Sequence, residues 1–145
     1  MESSIEGILR GGKFKKLMEN RLADLKDRTG LKRVEIEVIY YLSRESEHNT
    51  MTDIYRHLQM NKGHISTVMD SLCKKGYVVQ EPDLNDRRCI RYTVTGMADE
   101  IVKQMDASWE NMTQRLMDGI SKADLDVFEK VAGQIGQNIE HMLDE

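Results

Sequence analysis

Apolar residues recur along most of this chain at spacings of three and four, the period of helices that bury one face. The first stripe runs through Ile5, Ile8, Leu9, Phe14, Leu17, Met18, Leu22 and Leu25. Gly11-Gly12 falls inside it and should kink or restart the helix, and Gly30 closes it as a C-cap. Val34, Ile36, Val38, Ile39 and Leu42 predict a second, short helix, apolar on enough sides to belong to the core. The chain has a single proline, Pro82, so the architecture reads as mainly α.

Between Thr50 and Gly76 the pattern breaks in the middle. Thr50 stands three residues before Asp53, a capping-box-like start, and Ile54 and Leu58 mark a helix of about two turns. Gln59-Met60-Asn61-Lys62 interrupts it, and Ile65, Val68, Met69 and Leu72 begin another helix that Gly76 terminates. That is helix-turn-helix spacing. On a helical projection Gly63, Ser66, Thr67, Asp70 and Lys74 lie opposite the apolar side, with Lys62 and His64 on the flanks. Small and hydrogen-bonding, this face could sit in a DNA major groove. Taken alone, the segment is equally an ordinary helical hairpin with a solvated face.

The next segment changes that balance. Tyr77–Glu81 reads as a strand, and Cys89–Val94 alternates, with Ile90, Tyr92 and Val94 expected inward and Cys89, Arg91 and Thr93 outward. Between them Pro82–Arg88 forms a polar hairpin loop. Arg87 and Arg88, with Arg91 beside them, make a cationic finger of minor-groove width. Asp86 could orient Arg88 by a charge-assisted fork. Helix, helix, strand, arginine loop and strand is the winged-helix order.

These residues resemble the MarR family of transcription regulators. Asp86-Arg87-Arg88 followed after five residues by Val94-Thr95 is similar to that family's wing signature, Asp-x-Arg then Leu-Thr, with Val94 in place of Leu. The resemblance extends over essentially the whole chain. It implies an α+β fold, mainly α with a small β-hairpin wing, divided into an N-terminal dimerisation helix (1–30), a winged helix-turn-helix (31–95) and C-terminal helices of the dimerisation region (96–145). It further implies a homodimer on a pseudo-palindromic double-stranded DNA operator, with two recognition helices in successive major grooves and the wings in flanking minor grooves. Arg88 is then the wing arginine and Asp86 its orienting partner. Lys62, Gly63, His64, Ser66 and Thr67 occupy the start of the recognition helix, whose base assignments do not transfer.

The last third agrees with a dimer. Ile101, Met105, Trp109, Met112 and Leu116 recur at helical spacing, and Ser121 opens a second helix carrying Leu125, Phe128, Val131, Ile135, Ile139 and Met142. Two such helices cannot cover each other and a small winged domain completely. Their complement is the same surface on a second chain, joined by Ile5, Ile8 and Leu9. A monomeric bundle that closes internally is the alternative.

Charge is uneven. The 145 residues carry a net −4, which on its face disfavours a nucleic-acid partner, yet residues 51–95 hold 7 Lys+Arg against 5 Asp+Glu, and residues 96–145 hold 4 against 11. One surface can face phosphates while another faces away. The length gives one domain, or one with a dimerisation appendage, large enough to fold without metal or disulfide. No apolar run approaches a membrane span, and Met1-Glu2-Ser3-Ser4 does not open a signal peptide, so a cytoplasmic location is expected.

Other chemistry is sparse. Cys73 falls at the edge of an apolar helix face, as a small hydrophobe does, whereas Cys89 is expected outward beside Arg88 and Arg91, where its thiol would be more reactive. Thiol-based redox sensing through Cys89 is therefore an alternative, although the family's peroxide sensors carry their cysteine in the first helix, where this chain has none. His48, His57, His64 and His141 lack metal-ligand spacing; no metal or cofactor is expected, and His57 and His64 are candidates for the DNA surface. The family often binds small aromatic effectors between dimer helices and winged domain, for which Tyr40, Tyr41, Met105 and Trp109 are the candidates. No nucleophile elbow, P-loop, dinucleotide fingerprint or zinc-protease motif occurs, so catalysis is not expected. A winged-helix protein-interaction module remains the other alternative. The arginine wing beside a small-residue helix face discriminates against it. The sequence does not reveal the operator, the regulated genes or the sign of regulation.

Overall fold

The computed structural model describes residues 12–145, so Ile5, Ile8 and Leu9 lie outside the described residues. In chain order the elements are α1 (Gly12–Thr29), α2 (Arg33–Arg44), α3 (Met51–His57), α4 (Lys62–Lys75), β1 (Val78–Pro82), β2 (Ile90–Val94), a 3-10 turn (Gly96–Ala98), α5 (Asp99–Leu116) and α6 (Lys122–Leu143). The chain divides into two compact units, 1–106 and 107–145, with the boundary inside α5.

In the first unit the core is a single apolar cluster. Ile36, Val38, Ile39 and Leu42 of α2 meet Ile54 of α3, Ile65, Met69 and Leu72 of α4, Val78 of β1 and Tyr92 of β2, with Leu22 and Leu25 of α1 joining them. Each such side chain contributes roughly 1.5–3 kcal/mol when fully buried. Burial is what maintains α3, since a helix of seven residues does not persist on its own.

Local chemistry sets the helix ends. The Asp53 backbone N–H donates to Thr50 Oγ1 (3.3 Å) and the Thr50 N–H to Asp53 Oδ2 (3.0 Å), completing the expected capping box of α3. The turn into α4 passes through Gln59 at φ +53°, a left-handed conformation the sequence pattern does not announce. Asn61 then caps α4, its Oδ1 accepting from the His64 N–H at 2.8 Å. At the other end Gly76 adopts φ +83°, and a Cβ there would lie 3.1 Å from Met97 Sδ, so both conformation and space select glycine.

β1 and β2 pair antiparallel from Val78↔Val94 to Pro82↔Ile90. Their base is closed by Thr95, whose N–H donates to Tyr77 O (2.9 Å) and whose hydroxyl donates to Gly76 O (2.6 Å). On the other edge of β2, Thr50 bridges Arg91, the Tyr92 N–H donates to Asn49 O (3.0 Å), and Asn49 Nδ2 donates to Tyr92 O (3.0 Å). The chain just before α3 thus acts as a two-residue third strand and covers an edge that would otherwise be open. Of the side chains expected inward, Tyr92 is buried and Val94 half-buried, but Ile90 is exposed. It pairs with Pro82 at the far end of the hairpin, away from the core residues.

In the second unit Gly119 (φ +77°) ends the turn before α6, and Ser121 Oγ accepts from the Asp124 N–H at 3.1 Å. No residue of α6 is buried. Phe128 is 58% exposed and Met142 71%, Ile135 and Ile139 are exposed too, and Leu125 is half-buried.

Candidate nucleic-acid interface

The apolar side of α4 is consumed by the core, which leaves Lys62, Gly63, His64 and Thr67 exposed at its start and Ser66 half-buried. Thr67 Oγ1 donates to Gly63 O at 3.2 Å, holding its hydroxyl along the helix. Gly63 has neither a left-handed backbone nor a crowded neighbour: a Cβ there would approach only Asn61 Oδ1, at 3.6 Å.

The orientation of α4 depends on a buried carboxylate. Glu35 of α2 is 1% exposed, and its Oε1 accepts from Ser71 Oγ (2.6 Å) and Lys75 Nζ (3.0 Å) near the end of α4. Its Oε2 accepts from the Lys32 N–H (2.7 Å), ahead of α2. Burial alone would push this carboxyl up, but the bonds from Ser71, Lys32 and Lys75 overcome it and hold Glu35 below the ordinary range. The sequence reading missed this site, because nothing local to Glu35 distinguishes it from a solvated helix glutamate.

The hairpin loop is organised by Asp83. Its Oδ1 accepts from the backbone N–H groups of Asn85 (2.8 Å) and Asp86 (3.1 Å), and its Oδ2 accepts from Arg91 Nε. The Arg91 bond, with help from the two backbone donors, lowers Asp83 to about 2. Arg91 also donates to Glu47 O (2.7 Å) and Asn49 Oδ1 (2.8 Å). Two expectations change here. Arg91 does not stand with the cationic finger; its guanidinium is committed to the loop and to the third strand, so it is a brace. Asp86 does not fork the Arg88 guanidinium either: Asp86 Oδ1 accepts from the Arg88 backbone N–H at 3.0 Å, shaping the turn instead. Arg87 and Arg88 are exposed, and among the described residues no hydrogen bond or ion pair engages either guanidinium.

A helix-turn-helix and a hairpin with two free arginines can therefore present one polar and one cationic element to the same partner. Residues 31–98 match the model of the winged helix DNA-binding domain. That stretch runs from just ahead of α2 through the 3-10 turn and takes in both the helix-turn-helix and the hairpin. The chain is 22% identical over 127 residues to the transcriptional repressor MprA of Escherichia coli, covering 88% of this chain and 72% of that one. Its fold is similar to a MarR protein from Peptoclostridium difficile (TM-score 0.76, 17% identity, 97% of this chain and 92% of that one). It is similar too to Streptococcus pneumoniae FabT in complex with DNA (TM-score 0.74, 19% identity, 95% and 96%).

By order in the matched segment, α4 stands where a winged helix has its second helix of the helix-turn-helix, and the 83–89 loop joins the two strands of the hairpin. Other expected site residues are dispersed. Tyr41 is buried, donates to His48 O at 2.6 Å and lies against His57 with ring centroids 4.4 Å apart, while His57 itself is exposed. Tyr40 points elsewhere, donating to Asp106 Oδ1 (3.0 Å) beneath the Arg44 guanidinium, which also binds Asp106. Met105 packs against the core, and Trp109, half-exposed, belongs to the second unit. Tyr40 and Tyr41, adjacent on α2, thus make contacts with different parts of the chain. Cys73 is half-buried, and burial together with Asp70 pushes its thiol up, consistent with a packing role; Cys89 is half-buried behind the wing. Among the described residues no helix is long and apolar enough to cross a membrane.

Proposed function

We propose that this protein is a sequence-specific transcriptional regulator that binds a pseudo-palindromic DNA operator as a homodimer and acts chiefly as a repressor in the cytoplasm. The observation that carries the reading is the pair of exposed arginines on a braced loop, whose guanidinium groups have no partner among the described residues, in a chain whose α4 opens with an exposed polar face. Lys62, Gly63, His64, Ser66 and Thr67 read base edges and phosphates in the major groove, and Arg87 and Arg88 occupy the flanking minor groove. Asp86 and Arg91 keep that loop in shape. The repressor MprA and the FabT–DNA complex support the same reading by likeness.

Dimerisation is supported by the uncovered apolar stripe of α6, with Leu125, Phe128, Ile135, Ile139 and Met142 meeting their counterparts across a two-fold axis and Ile5, Ile8 and Leu9 joining from the N-terminal segment. A small aromatic effector would act by shifting the dimer between DNA-competent and incompetent forms.

Selection of bound duplexes from a random DNA library tests the proposal. The expected product is a two-fold-related motif with half-sites about one helical turn apart, bound with strong salt dependence. Failure to enrich any sequence, with binding no tighter than to random DNA, would reject the sequence-specific reading and leave the winged helix as a protein-contact module.

A further inference from the structure

The DNA-binding reading accounts for the arginines of the wing but not for the residue at its tip. Leu84 is 99% exposed, between Asp83 and Asn85. A lone leucine on a loose loop would mean little, because single exposed apolar residues are common. This one is held. Asp83 clamps the turn across it, accepting from the N–H groups of Asn85 and Asp86 with one oxygen and from Arg91 with the other, while the Asp83 N–H donates to Cys89 O at 2.8 Å. Arg91 in turn fixes the clamp to the Glu47 carbonyl and to Asn49 of the third strand. The isobutyl group is therefore presented on a pre-ordered turn, and little ordering entropy remains to be lost when it meets a partner. The charges of the same loop point to the partner: Arg87 and Arg88, three and four residues on, are exposed and attract phosphates, and Leu84 is exposed on the loop that carries them.

We propose that Leu84 is a minor-groove wedge, which buries its side chain against the sugar walls and pries at a base step under the wing. The proposal rests on the DNA-binding reading above and deepens it. Arginines supply attraction to any narrow, negative groove, whereas an apolar wedge is paid back only where stacking is weak, so Leu84 adds a preference for deformable pyrimidine–purine steps at positions no side chain reads directly.

The test uses the full-length protein and the duplex selected from random DNA, with 2-aminopurine placed in turn at the base steps flanking each half-site. Wild-type binding should raise the fluorescence at one flanking step as it unstacks. Leu84→Ala should abolish that rise, weaken binding by about tenfold or more and remove the preference for a pyrimidine–purine flank, all with an unchanged salt slope, because an apolar contact releases no counterions. Leu84→Met, which keeps an apolar side chain of similar reach, should restore most of the affinity. Thermal melting of the variants should match the wild type, as a fully exposed side chain supports no packing. Unchanged affinity and an unchanged fluorescence rise in Leu84→Ala would overturn the wedge while leaving DNA binding intact. A wild-type protein that selects no duplex would overturn the DNA-binding reading itself, in an arm separate from any variant, and the wedge with it.

Discussion

Gly63 forfeits up to roughly 1 kcal/mol of helix stability relative to alanine, and neither its backbone nor the space around it calls for glycine. On the DNA-binding proposal, a glycine at the start of α4 serves the close approach of the duplex. Gly63→Ala is expected to melt at the same temperature or slightly higher, yet to bind the selected duplex several-fold more weakly; weaker melting would instead assign the glycine to the fold. Arg88 is the opposite case, a residue whose exposed guanidinium has no partner among the described residues. Arg88→Ala should weaken binding to all duplexes, lower the salt slope by about one and leave the oligomeric state unchanged, as measured by titration at several salt concentrations. Thr67 sits on the exposed side of α4 with its hydroxyl bonded back to Gly63 O. Thr67→Ala should shift the selected sequence more than the non-specific affinity, which a second round of selection from random DNA would read.

At the scale of elements, α4 is positioned by apolar contacts along its length and by Glu35 near its end. Because the folded pKa of Glu35 is lowered, its contribution is fully present above the ordinary glutamate range and is lost as pH falls through the folded value. Glu35→Gln should therefore cost about 2 kcal/mol at neutral pH, moderated by the solvent access of Lys75, and the gap between variant and wild type should close in acid. Denaturant melts from neutral pH down past the carboxylate range measure this directly. The elements themselves were largely legible in the sequence, since period and caps are local: Thr50 with Asp53, Gly76, and the alternation around Tyr92 each speak through near neighbours. What escaped was non-local. Asn49-Thr50 is too short a strand to show a period, Glu35 is recognisable only against Ser71 and Lys75, and the employment of Arg91 depends on Asp83 and Asn49 folding onto it. Ile90 followed the alternation of its strand but lay beyond the core that the alternation presumes.

For the whole molecule, acidity gathered in residues 96–145 and positive charge in 51–95 give the last third and the middle of the chain opposite signs. The acidic part also carries the bare stripe of α6, and Ile135 lies within it. Ile135→Asp should yield a monomer by sedimentation while the winged unit remains helical by circular dichroism, and binding to the two-half-site duplex should fall by on the order of a hundredfold or more as the gain from simultaneous engagement disappears. The pairing of Asn49 and Thr50 with β2 has a further consequence, for biosynthesis. Asn49 and its partner Tyr92 are 43 residues apart, and α3, which begins beside Thr50, is too short to stand before that pairing and the core around it exist. On the ribosome, α3 must wait for β2 to emerge before anything holds it, so the stretch from Asn49 to Val94 closes in one late step rather than growing helix by helix.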